Sequence, residues 1–281
     1  MTEPRIMLAA APNGGRHTAQ DHPALPLTPA SLARTAAECL DAGANLLHVH
    51  VRDAQGRHTL DAATYREAFA AIRSEVGERL VLQATTEALG RYSAAEQLAA
   101  VRGLRPEAVS LAVAELFGRD VPDADVAAFL RELQLDQVLV QYIVYSAAEE
   151  QRLVALAQRG LIPGPFWTLY VLGRYGQARP STPADLLPFA PFSAGRAAAP
   201  WAACAFGQGE LRCLVAAAAF GGHVQIGFEN NLLTPEGEPA TSNAEQVRRL
   251  RNALTPLNIM PMSADELRRA WLTPPDRTAP R

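Results

Sequence analysis

Short apolar runs alternate along the chain with longer stretches in which apolar residues recur every three to four positions. The runs centre on Ile6 to Ala11, Asn45 to Val51, Leu80 to Thr85, Ala108 to Val113, Val138 to Val144, Phe166 to Leu172, Trp201 to Phe206 and His223 to Phe228. Each is strand-length, and the amphipathic stretches between them carry helix-start signals: Thr28-Pro29 before Ala30 to Asp41, Ser93 with Glu96 three later, and Thr182-Pro183 before Ala184. A strand and helix alternation repeated eight times within about 250 residues is the pattern of a closed (β/α)8 TIM barrel. A doubly wound sheet would place a glycine-rich turn after the first strand, and none is present. Ser263 to Glu266 forms a further capping box that opens a C-terminal helix through about Leu272, followed by a Pro-rich, frayed tail after Thr273. We therefore expect an α/β chain, residues 1–281, folded as a single barrel domain with a C-terminal helical extension.

Composition narrows the partners. With a formal net charge of -3 and interspersed signs, the 281 residues carry no basic face for nucleic acid. No apolar stretch is long enough to span a bilayer, and the first run is too short and poorly flanked for a signal peptide. Cys39, Cys204 and Cys213 are an odd set without metal-ligand spacing, expected to be reduced core fillers of a cytoplasmic protein.

The barrel gives the polar residues at strand ends a shared location, because active sites of this fold lie at the C-terminal ends of the strands. His48-Val49-His50 aims two imidazoles to one side of strand two. His48, His50 and Arg52 share parity there, as Gln225, Gly227 and Glu229 do at strand eight. Two imidazoles and a carboxylate form a three-ligand set with an open position, the arrangement of a catalytic zinc; the alternative is a pair of hydrogen-bonded core imidazoles. Gln83, Thr85, Ser110 and Gln141 are candidates for the same mouth, and Gly227 is expected to leave room beside Glu229 for a bound molecule. Arg174 can bind phosphate or carboxylate at the end of strand six, or form a loop salt bridge. His223 opens strand eight at the wrong end for catalysis and is read as structural. His58 is read as a loop residue, and His17 and His22 as mouth or loop residues.

Asn13-Gly14, His48-Val49-His50-Val51-Arg52-Asp53, Gln83-Ala84-Thr85-Thr86, Arg105-Pro106-Glu107 and Gly227-Phe228-Glu229-Asn230-Asn231, in this order over nearly the whole chain, resemble the β-keto acid cleavage enzymes, the group of the 3-keto-5-aminohexanoate cleavage enzymes. The resemblance implies a zinc-dependent barrel, a homo-oligomer and usually a tetramer, that condenses a β-keto acid with acetyl-CoA and yields acetoacetate and a new acyl-CoA. The chain also departs from the family. The usual R-V-G-x-E-D appears as Gln225 to Asn230, so two amides stand where an arginine and a basic aspartate are expected. Acidic positions that meet a substrate amine align with Arg16 and Gln141, which argues for a keto acid with a neutral or anionic tail. Glu87, where a glycine is usual, and Glu115 are candidates for a displaced base; their alternative roles are a loop ion pair or helix N-terminal charges. Glu115 is the favoured of the two, with Thr85, Gln225 and Asn230 as its catalytic neighbours. Two other functions fit the residues less well: a metal-dependent hydrolase, whose histidine pair would lie on strand one, and a catalytically silent barrel that binds metal and CoA esters.

Overall fold

The structure, a computed structural model, describes residues 5–176, 179–189 and 200–272. Eight parallel strands close into a barrel in sequence order: β1 (Leu8–Ala10), β2 (Leu46–Val49), β3 (Val81–Thr85), β4 (Ala108–Ala112), β5 (Leu139–Val144), β6 (Trp167–Leu172), β7 (Trp201–Ala205) and β8 (His223–Ile226). The seam is the pairing of β8 with β1, Gln225 opposite Ala9 and Ile226 opposite Ala10. Around it lie α1 (Pro29–Ala42), α2 (Ala62–Val76), α3 (Ala94–Leu104), α4 (Val113–Leu116), α5 (Asp123–Leu135), α6 (Ala147–Gln158), α7 (Glu210–Ala219), α8 (Asn243–Leu254) and α9 (Ala264–Leu272). The (β/α)8 architecture expected from the repeat is the one observed. Among the described residues no helix is long and apolar enough to cross a membrane.

Strand parity divides the core in two. Leu47, Val49, Leu82, Ala84, Val109 and Leu111 point outward and pack under the helices. Their neighbours Leu46, Val81, Ala108, Leu139 and Trp167 point inward and fill the barrel with apolar side chains. That inner cluster is completed by Ala264, Leu267 and Trp271 of α9, which plugs the N-terminal end, with Trp271 stacked on Trp167 at 4.3 Å between ring centres. Glu107 locks the plug by pairing with Arg73 at 2.6 Å and with Arg268 of α9 at 2.5 Å. Glu107 of Arg105-Pro106-Glu107 therefore serves the floor of the barrel. His223 is at this end too, as expected: it stacks on Trp167 at 4.6 Å and its Nδ1 accepts the Met7 N–H at 3.0 Å.

The start signals hold at the atomic level. Thr28 and Ser93 form reciprocal capping boxes with Ser31 and Glu96, and Ser263 does so with Glu266. Thr182-Pro183 is different: it opens only a 3-10 turn, Pro183–Leu186, because Pro188 follows and cannot continue the helical hydrogen bonding. The first two strands are also shorter than the apolar runs that announce them. Arg5–Ile6 peels away to pair with Met260–Pro261. After Val49 the chain breaks step, and Val51–Arg52 pairs antiparallel with His58–Thr59 in a hairpin. The tail after Thr273 lies outside the described residues.

Candidate active site and metal centre

His48 ends the inward row of β2, and His50 follows the strand by one residue. What holds His50 in line is Asn13 in the loop after β1, whose amide donates to the His50 carbonyl at 2.8 Å and to Pro26 O at 2.9 Å while its oxygen accepts the His50 N–H at 3.3 Å. Arg52, expected to face the mouth, instead donates to the carbonyls of Gly14 and His17 and braces the same loop. Glu229 sits on a turn after β8. Gly227 there has φ +149, and a Cβ on it would lie 2.3 Å from the Ala11 carbonyl oxygen. The glycine thus makes space for the neighbouring backbone rather than for a ligand. The turn is pinned by Glu229 N donating to Ala11 O at 3.1 Å and by the Tyr175 hydroxyl donating to Glu229 O at 2.7 Å.

These elements bring the three expected ligands together. His48 Nε2 and His50 Nε2 are 3.2 Å apart, His50 Nε2 is 3.1 Å from Glu229 Oε1, and His48 Nε2 is 3.5 Å from Glu229 Oε2. For ligand bonds of about 2.0–2.1 Å around one tetrahedral ion the donor atoms lie about 3.3–3.4 Å apart, so the three residues fit a metal ion. The tautomer of His48 agrees, since its Nδ1 donates to Gln83 Oε1 at 2.7 Å and leaves Nε2 with a lone pair facing the centre. Gln83 in turn donates to Gln141 at 3.1 Å. Burial pushes the His50 imidazole down to about 4 despite the pull of Glu229, so the ring is neutral. Burial works against the Glu229 carboxylate as well, but the two imidazoles outweigh it and keep the group below its ordinary value. Neutral nitrogens and an ionised oxygen are the forms that ligate metal.

His48 and Glu229 form part of the wall of a cavity of about 440 Å³ at the C-terminal mouth. Of the other expected residues, Arg16, Thr85, Glu87, Glu115, Arg174, Gln225 and Asn230 line it. Ser110 and Gln141 are buried inside the barrel and do not. Gln141 serves the metal site indirectly, through Gln83. The Glu115 carboxylate accepts the Ala88 N–H at 3.2 Å, and burial raises it above its ordinary value. Burial also raises Glu87, to about 8, with the charges of Glu229 and Glu115 adding to the effect. Gln225 Oε1 and Asn230 Oδ1 are buried without a hydrogen-bond partner.

Four features were not anticipated by sequence reasoning. His58 is a buried strand residue, not a loop residue: its ring lies 5.1 Å from that of His50 and its Nε2 donates to Glu87 O at 2.9 Å. Tyr175 lines the cavity with Arg16 5.2 Å above its ring and His17 at its edge. Cys204, expected to be core filler like Cys39 and Cys213, is buried yet reaches the cavity wall. His22 supports the Glu229 turn from behind, bonded to Ala240 O at 2.8 Å and packed on Phe228. Parity on β7 carried a signal for Cys204; the contacts of His58 and Tyr175 depend on how loops fold back.

Comparison with known proteins gives the family of the chain. The family model described as beta-keto acid cleavage enzyme matches residues 5–271. A 3-keto-5-aminohexanoate cleavage enzyme of Acetoanaerobium sticklandii is 28% identical over 88% of this chain and 90% of its own. A 3,5-dioxohexanoate:acetyl-CoA acetone transferase of Paraburkholderia graminis is 25% identical, covering 92% of each. A 3-oxoadipate:acetyl-CoA acetyltransferase of Cupriavidus necator is 26% identical, with 88% and 87% covered. Among solved structures, apo ObcA shares the fold with a TM-score of 0.69 at 17% identity, over 89% of this chain and 65% of that one. With the barrel, the strand-end cluster and a family match over nearly the whole length in agreement, the hydrolase and the silent barrel are set aside: the chain belongs to the beta-keto acid cleavage enzyme family and is a carbon–carbon bond cleaving acyltransferase.

Proposed function

We propose that this enzyme exchanges acyl groups between a β-keto acid with a neutral or anionic tail and acetyl-CoA, using zinc held by His48, His50 and Glu229. The bond between C2 and C3 of the keto acid breaks, C2 joins the acetyl carbonyl carbon to give acetoacetate, and the CoA thiol takes the remaining acyl group. The observation that carries this reading is the metal-competent cluster opening onto a cavity that also holds Glu115 and two guanidinium groups. Zinc supplies a Lewis acid that polarises the keto oxygen and stabilises enolate charge.

The chain's own residues supply the rest. Glu115 accepts the C2 proton, because burial has raised its proton affinity while the Ala88 N–H fixes its position. Thr85, Gln225 and Asn230 orient the reacting carbonyl and carboxylate; an amide has no useful basic state near neutral pH and acts by hydrogen bonding alone. Arg16 and Arg174 place positive charge on the cavity lining, suited to a carboxylate tail or to CoA phosphates and unsuited to an ammonium group. The chain works as one barrel domain in a homo-oligomer, as its resemblance implies. Metal analysis of the purified protein, followed by a keto-acid screen read by acetoacetate release from acetyl-CoA, tests this function. One zinc per chain and preferential turnover of an anionic keto acid are expected; absence of acetoacetate with every keto acid overturns it.

A further inference from the structure

The two imidazoles of the cluster do not have the same surroundings. His48 has its Nδ1 bonded to Gln83 at 2.7 Å, a neutral amide. His50 Nδ1 is buried without a hydrogen-bond partner, and 3.7 Å away lies Glu87 Oε2, likewise buried and without one. Two buried polar atoms, one a potential donor and the other an acceptor, cost stability while apart and lose that cost on meeting. Glu87 is set up for the meeting. Its N–H donates to Thr85 Oγ1 at 3.1 Å, its carbonyl accepts from His58 at 2.9 Å, and the loop after β1 closes over its carboxylate at Gly15, where a Cβ would stand 2.8 Å from Oε2. A side-chain movement of under about 1 Å brings the pair to the 2.7–2.9 Å of a charge-assisted bond; burial raises Glu87 above its ordinary value, and the Nδ1–H it would accept favours the ionised form.

We propose that Glu87 is the positioning partner of His50, its carboxylate accepting the Nδ1–H so that Nε2 is turned to the metal. The cluster then has one imidazole backed by an amide and one backed by a carboxylate. A carboxylate behind a ligating imidazole fixes its ring and tautomer and raises its basicity as a ligand. In this arrangement Glu87 acts through His50, and proton transfer at the substrate stays with Glu115. The inference rests on the metal reading proposed above.

The test is zinc affinity of the metal-free protein, measured by competition with a chromophoric chelator. Glu87→Ala is expected to weaken binding by about 10–100-fold, and Glu87→Gln, which keeps an acceptor without the charge, by less. Glu115→Gln is expected to leave the affinity unchanged. In 15N-labelled, zinc-loaded protein the His50 ring Nδ1–H resonance is expected to shift in Glu87→Gln while that of His48 does not, a readout that needs only the conservative variant to fold. Zinc affinity of Glu87→Ala within about twofold of the unaltered chain, or a His50 resonance unmoved by Glu87→Gln, overturns the role of Glu87. If instead the unaltered protein binds no zinc, or binds it as well after His48→Ala, the metal reading itself fails.

Discussion

Replacing Gln83 by leucine cuts the outer support of His48 without changing side-chain bulk greatly. Gln83 is fully buried, accepts from His48 Nδ1 at 2.7 Å and donates to Gln141 Oε1 at 3.1 Å. Leucine leaves both partners buried and unpaired, and each such group costs about 1–3 kcal/mol, so Gln83→Leu should lose about 2–6 kcal/mol of stability, a large share of a typical total. Gln141→Leu strands only the Gln83 amide N–H and should lose about half as much. The double variant should lose less than the sum, because the bond between the two amides is counted in both single changes. Equilibrium urea unfolding of the metal-free proteins reads these differences, and chelator competition reads the second effect, a zinc affinity lowered by about 10–100-fold in Gln83→Leu. If Gln83→Leu unfolds at the same urea concentration as the unaltered chain, the buried relay contributes nothing and the argument from unsatisfied groups fails.

Glu115→Gln should lower turnover by about 100-fold or more with zinc retained, since a positioned base contributes at least that much; full activity would show that the proton goes elsewhere. Arg16→Glu should raise KM for an anionic keto acid by about tenfold, roughly the loss of one favourable charge contact, and improve a cationic one; unchanged preference in a two-substrate competition assay would remove Arg16 from selectivity. His223 ties stability to pH. Burial lowers it from 6.5 to about 4, so the folded chain holds it neutral while the unfolded chain protonates it, and stability present above pH 6.5 is lost as pH falls toward 4. The loss reaches about 2 kcal/mol at pH 5. In His223→Gln that part of the pH dependence should vanish from unfolding curves of metal-free protein; an identical slope in both proteins contradicts the assignment.

Much of the fold and the central part of the site could be read from residue order, because each depends on local periodicity. The alternation of inward and outward side chains is enough to put His48 and Gln83 inside the barrel, and Glu229 reaches them because its turn leaves the same end of β8. Less legible were features made by chain reversals. Val51–Arg52 leaves the strand direction for a hairpin, which turns Arg52 toward the β1 loop and buries His58 behind His50. Gly227 looked like room for a ligand because no pattern along one strand reveals that the Ala11 carbonyl occupies the space. Ser110 and Gln141 have inward parity yet are cut off from the cavity, since parity gives a side chain's direction and not its depth. Thr182-Pro183 carried a valid start signal, but Pro188 follows too soon for the helix to continue beyond one turn.

The floor plug carries a consequence for synthesis. A ribosome delivers β1 first, yet the strand that seals the barrel against it is β8, and the helix that stoppers the interior is α9. Until residues 223–226 have emerged, β1 and β7 each present a raw edge, the kind that recruits stray strands. Until Trp271 arrives, Trp167 lacks the ring stacked on it and the inner apolar layer lacks its cover. The nascent chain thus spends most of its elongation with an open cylinder, and a stop just before Ala264, where α9 begins, would release a barrel complete in its strands and unsealed at its base.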